Sequence, residues 1–126
     1  MEDKLGKFLS TQVSVEFEWG QSDCLQFLGL WDRFSTGRER TQYLAGICST
    51  EQEALDYLAS AGGELALLTK LFGAKHNGEA QRGDIGLIPT PKGLLGGIYT
   101  GRLWVSRFPG RGLSYVKTKA DHIWRL

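Results

Sequence analysis

Apolar residues recur at two different periods along this chain, and the period changes near its middle. Leu5, Phe8 and Leu9 stand three and four apart, which predicts a short amphipathic helix. The stretch from Val13 to Phe17 alternates and runs out at Trp19-Gly20. Cys24, Phe27, Leu28, Trp31 and Phe34 form a longer stripe at helical spacing. It predicts a helix over Ser22 to Phe34, with Ser22 or Asp23 capping its start and Gly37 following its end. Thr50 and Glu53 have the spacing of a capping box. They open a helix bearing Ala54, Leu55, Leu58 and Ala61, which Gly62-Gly63 stops. A further short helix is predicted from Glu64 to Phe72, ending at Gly73.

Strands and turns follow. Asp84 to Ile88 reads as an apolar strand, and Pro89 to Gly93 as a loop. Leu94 to Thr100 is a second strand with Gly96-Gly97 inside it. Gly101-Arg102 turns the chain into Leu103 to Phe108, and Pro109 to Gly112 turns it into Leu113 to Thr118. A last short strand is predicted over Ile123 to Leu126. Helices followed by a meander of antiparallel strands make an α+β architecture. No repeat, low-complexity run or linker divides the chain, so residues 1–126 are read as one domain.

Composition narrows the function classes. Hydrophobic residues make up 41% of the 126 and charged residues 23%, as in ordinary globular domains. A net charge of +1 gives no global field to recruit nucleic acid or an anionic membrane, so neither is expected as a partner. No apolar run approaches the roughly 20 residues of a membrane span. The opening MEDKLGKFLS lacks the apolar stretch of a secretory signal, so folding in a cytoplasm is expected. Cys24, Cys48, His76 and His122 match no zinc spacing, so no metal and no cofactor is expected.

The sharpest local feature is Trp19-Gly20-Gln21-Ser22-Asp23-Cys24. It sets a cysteine in the first turn of a helix, after a loop containing glycine. Free backbone N–H groups and the helix dipole there stabilise a thiolate, and the same N–H groups can form part of an oxyanion hole. The plainer reading makes Cys24 a small buried member of the apolar stripe. Cys48 stands in no motif and reads as core. Gly93, Gly96, Gly97 and Gly101 are not a phosphate loop, because no Lys-Ser or Lys-Thr follows and no helix opens there. Arg102, Arg107, Arg111, Lys117 and Lys119 read as a solvated face of the β half, with an acidic partner as the second possibility. Trp31, Trp104 and Trp124 read as core or interface anchors.

Asp23-Cys24 ahead of Leu25-Gln26-Phe27 resembles the D-C-S-G-[FL] box of NlpC-type papain-like cysteine peptidases. Arg82-Gly83-Asp84-Ile85 resembles the G-D-[LIV] start of that family's first core strand. Gly97-Ile98-Tyr99-Thr100-Gly101 resembles the end of its H-V-G-I-Y-x-G strand. The three occur in family order over roughly residues 19–110. Phe17, Trp19, Gly20, Asp23 and Cys24, with Trp124-Arg125-Leu126 at the end, further resemble a phage-borne branch encoded among tail genes. The resemblance implies a papain-like, NlpC-type fold with N-terminal helices packed on a C-terminal antiparallel sheet. It also implies Cys24 as nucleophile, attacking a cell-wall peptide carbonyl.

The family's base does not carry over. The histidine that begins H-V-G-I-Y aligns with Leu95, which cannot accept a proton. The third, orienting residue falls near Ser106 or Arg107, and arginine stays protonated. Leu25-Gln26 replaces the usual Ser-Gly after the nucleophile. His122, beside the last strand, is the remaining candidate base, and His76 reads as an exposed loop residue. Two expectations follow from the resemblance. One is a tail-tip structural component with a degenerate active site, assembled in the host cytoplasm into the virion tail beside hub, distal tail or fibre-bearing proteins. The other is a working peptidoglycan endopeptidase that assists genome delivery. An inhibitor or accessory binding module is a third reading, for which no residue pattern is specific.

Overall fold

A computed structural model describes residues 3–91, 93–110 and 112–126. Lys92 of the expected loop and Arg111 of the expected basic face lie outside the described residues. Four helices precede a sheet of five strands. The helices are α1 (Lys4–Gln12), α2 (Cys24–Thr36), α3 (Glu51–Ser60) and α4 (Glu64–Phe72), with a 3₁₀ turn at Gln42–Leu44. The strands are β1 (Ile85–Thr90), β2 (Gly93–Tyr99), β3 (Trp104–Phe108), β4 (Gly112–Val116) and β5 (His122–Trp124). All pairings are antiparallel, in the order β4-β3-β2-β1-β5. The architecture is α+β, as the change of period predicts.

Helix α2 forms for the local reasons its sequence offers. Asp23 caps it, with a side-chain oxygen accepting from Gln26 N–H at 2.9 Å, and Gly37 ends it in the left-handed conformation at φ 79°. Its apolar stripe packs Phe27 and Leu28, both fully buried, against the front of the sheet with Ile85, Leu87, Ile98 and Val105. Glycines permit close approach on both sides of α2, Gly96 to the sheet and Gly29 to the segment at Thr41. A Cβ on Gly96 would lie 2.6 Å from a Leu28 methyl, and one on Gly29 would lie 1.7 Å from the Thr41 hydroxyl. The back of the sheet carries a smaller cluster of Ile88, Trp104 and Ile123, with Leu95, Tyr99 and Ala120 against it.

Three local expectations change in detail. The alternation from Val15 to Trp19 is real in burial, with Val15, Phe17 and Trp19 half-buried and Glu16 and Glu18 exposed, yet the segment pairs with no strand. β1 runs on through Pro89 and Thr90, which read as loop, pairing with Leu94 and Gly93. β5 pairs only with Ile85, Gly86 and Leu87, so the N–H that Pro89 lacks has no strand to meet on that side. Helix α3 begins at the Thr50 cap as expected, but it buries no residue, and Leu55 of its stripe is 55% exposed.

Candidate functional site

The Trp19–Cys24 segment is held by its own backbone. Asp23 accepts from Gly20 N–H at 2.8 Å and from Gln26 N–H, so one carboxylate closes the loop and starts the helix. Gly20 has φ 83°, and a Cβ there would lie 2.0 Å from the carbonyl oxygen of Cys48. Only glycine allows that crossing, which brings residues 46–48 against the loop, with Gly46 N–H donating to Gly20 O at 2.9 Å. From the sheet, fully buried Arg107 on β3 donates to the carbonyl oxygen of Ser22 at 3.2 Å and to the Gln12 side chain. Its guanidinium lies 5.1 Å from the Phe27 ring centre, and its Nε has no hydrogen-bond partner. Burial lowers its pKa and the Asp23 charge opposes that shift. The basic face read from the sequence therefore loses Arg107, which is a clamp inside the core.

Cys24 opens α2 beside a largely apolar pocket of about 80 Å³. Its walls are Trp19 and Gly20 from the loop, Leu44, Ile47 and Cys48 from the 3₁₀ region, and Ala54, Tyr57 and Leu58 from α3. Backbone N–H groups of Leu25, Cys24 and Gly96 act on the sulfur. The residue keeps some exposed surface, but its sulfur is desolvated, and desolvation decides its chemistry. Burial and, secondarily, the Asp23 carboxylate push the thiol up to about 12, against the pull of those three N–H groups. A helix terminus lowers a thiol pKa where water still reaches the sulfur. Here burial outweighs it, and Cys24 is a neutral thiol at physiological pH.

No imidazole lines this pocket. His122 stands on β5 opposite Leu87, which stands opposite Gly96. Two strand spacings, roughly 10 Å, and the buried Leu87 side chain separate it from the Gly96 row. Its Nδ1 lies 2.9 Å from Lys75 Nζ. The His76 N–H donates to Ile123 O at 2.8 Å, on the same side of the sheet as β5. The structure thus brings neither histidine to Cys24. Leu95, which stands where the resembled peptidases carry their histidine, turns to the back of the sheet beside Ile88 and Trp104. The front position nearest the thiol is Gly96, which offers only its backbone.

Sequence reading missed Cys48 and Tyr57. Cys48 is a half-buried pocket wall rather than core, and burial, then Glu53, then Asp23 raise its pKa. Nothing in its neighbourhood signals this, because the contact depends on the missing side chain of Gly20, 28 residues earlier in the chain. Among the described residues no group of three or more His, Cys, Asp or Glu is placed to hold a metal ion.

Fold and site together define an α+β domain that sets a neutral helix-terminal thiol beside an apolar pocket, against an antiparallel sheet. The chain belongs to the family DUF6950, described as a domain of unknown function, whose family model matches residues 1–126. No curated protein and no solved structure matches the chain.

Proposed function

We propose that this chain is a non-catalytic domain of the NlpC type within the papain-like fold, and that it serves as a structural component of a phage tail tip. The observation that carries the non-catalytic part is the setting of Cys24. Its sulfur is desolvated and neutral, in a pocket with no base. A nucleophilic thiol needs a depressed pKa or an adjacent base, and this one has neither. The papain-like reading is supported by a cysteine-first helix packed on β2 and β3 through Phe27 and Leu28. The tail context is supported by the resemblance of the Phe17–Cys24 opening and the Trp124–Leu126 ending to the phage-borne branch. Neighbouring tail proteins are then its partners.

The test is cleavage of purified peptidoglycan by the wild-type protein beside Cys24→Ala. Neither is expected to release muropeptides. Release by the wild type that disappears in the variant would restore the endopeptidase reading. For the tail assignment, a tagged copy expressed during phage infection should be recovered in purified virions by mass spectrometry. Its exclusion from particles would remove the structural role.

A further inference from the structure

The two outer strands of the sheet differ in what their free edges meet. On the β5 side, the His76 N–H donates to Ile123 O at 2.8 Å. On the β4 side, the register gives the direction of each main-chain group. The Thr100 N–H donates to Leu103 O at 2.8 Å across the turn from β2 to β3. Hydrogen-bonded pairs alternate along an antiparallel ladder, so Ile98 and Val105 form the next one. Val105 therefore turns its N–H and C=O to β2. Trp104 and Ser106 turn theirs to β4, where they meet Val116 and Ser114. Leu113 and Tyr115, which alternate with these, point their N–H and C=O away from the sheet. No described residue bonds to those groups.

The side chains along this open edge carry one sign of charge. Arg102, Arg107, Arg111, Lys117 and Lys119 are the charged residues between positions 101 and 120, with no Asp or Glu among them. Tyr115, Lys117 and Lys119 are exposed in turn, while Val116, Thr118 and Ala120 are half-buried. Tyr115 stands opposite Val105 on the front of the sheet and is 52% exposed. Among the described residues neither Lys117 nor Lys119 is paired with a carboxylate. Two copies joined through this edge would set base against base, which is unfavourable across a strand pair and is a common guard against self-pairing. The same lysines favour a strand of the opposite charge.

We propose that β4 accepts an added antiparallel strand from a partner protein, an extended segment with carboxylates at two alternate positions followed by apolar residues at the same spacing. The outward N–H and C=O groups of Leu113 and Tyr115 pair with its main chain. Lys119 and Lys117 face its carboxylates, and Tyr115 covers its apolar side chains. In such an addition the main chain supplies affinity and every second side chain supplies specificity. The electrostatic part weakens as salt shortens the screening length. This inference rests on the sheet register and the charge of one edge, not on the proposed tail role, and it stands or falls separately from it.

Amide exchange followed by nuclear magnetic resonance on the full chain tests it. The probe is the end-capped peptide Glu-Thr-Glu-Thr-Val-Thr-Val, and the control is Lys-Thr-Lys-Thr-Val-Thr-Val. The Glu peptide is expected to slow exchange at Leu113 and Tyr115, while Ser114 and Val116, already bonded to β3, change little. The Lys peptide is expected not to bind. The double variant Lys117→Glu, Lys119→Glu should bind the Glu peptide about tenfold more weakly and take the Lys peptide instead. Misfolding cannot produce that exchange of preference. Tyr115→Pro removes one outward N–H and no bond to β3, so it should stay folded by circular dichroism and lose the peptide. Tyr115→Thr keeps that N–H and should still bind. Equal binding of both peptides by the wild type, protection at other residues, or undiminished binding by Tyr115→Pro overturns the proposal. So does an absence of binding at millimolar Glu peptide, or pairing of the chain with its own copy through the same amides.

Discussion

Cys24 shows why the position of a residue in a helix does not settle its reactivity. Three N–H groups favour the thiolate, and burial with the Asp23 carboxylate opposes them and prevails. The folded-state pKa lies above the ordinary value of 9.0, so between 9.0 and about 12 the unfolded chain gives up this proton first. The stabilisation is therefore complete below pH 9 and is lost as pH climbs toward 12. Thermal unfolding followed from pH 8 upward should show the wild type losing stability more steeply than Cys24→Ala. At pH 7.5, alkylation by iodoacetamide should mark Cys48 well before Cys24. Equal rates at the two thiols would show that water reaches the Cys24 sulfur. The sequence displayed the cysteine, its cap and a leucine, Leu95, where the peptidases it resembles carry a histidine. It did not display the burial of the sulfur, because the pocket beside it is walled by Leu44, Ala54, Tyr57 and Leu58, all distant along the chain. Arg107 was hidden for a related reason, because arginine is rarely buried and its pattern position reads as surface.

Helices were legible in proportion to how much they bury. The stripes of α1 and α2 predicted their core faces, since Leu5, Phe8, Phe27, Leu28 and Trp31 all lie inside. The stripe of α3 has the same periodicity and a working cap, with Thr50 accepting from Glu53 N–H at 3.1 Å. Yet Ala54, Tyr57 and Leu58 are only half-buried, at the pocket and, for Tyr57 and Leu58, at the margin of the core, and the helix buries nothing completely. Periodicity reports which face is apolar, not how far that face is covered. The consequence is measurable, because elements with few buried contacts open at low free energy. Amide hydrogens of α3 are expected to exchange ahead of those of α2 and β2, on a path separate from global unfolding. If α3 exchanges only with the core strands, it is locked down more firmly than its burial implies. Strand boundaries were legible to within about two residues; the ends expected at Ile88, Thr118 and Leu126 each miss by two, and the run of β1 through Pro89 is permitted by how short β5 is.

Charged residues tie distant parts of the molecule together. Asp32 on α2 is fully buried and receives two hydrogen bonds from Arg40, at 3.0 and 2.9 Å, and one from Thr36. The Arg40 guanidinium in turn lies 5.3 Å from the Phe72 ring centre at the end of α4. Near the chain ends, Asp3 pairs with Arg82 and Arg125 with Asp84, so both termini fasten to one turn before β1. Asp32→Ala leaves Arg40 without its partner beside the core and should cost about 3 kcal/mol in urea denaturation, near the low end for breaking a buried pair. A loss below about 1 kcal/mol would mean that water already solvates the pair. None of these links was legible beforehand, because pairing across 8 to 79 positions leaves no local pattern. What the sequence did carry at this scale was the run of bases without an acid from residue 101 to residue 120, visible only when acids and bases are counted by segment.

The four indoles divide in a useful way. Trp31, Trp104 and Trp124 are 5%, 2% and 0% exposed, while Trp19 is half-buried at the pocket and meets the Phe17 ring edge-on at 4.7 Å. The molecule therefore carries its own optical probe. Trp19 supplies the long-wavelength part of the emission, accessible to iodide, and the other three supply a blue-shifted, unquenched background. Whatever enters the mouth of the pocket displaces water from that one ring, and the colour of the fluorescence changes without any label attached.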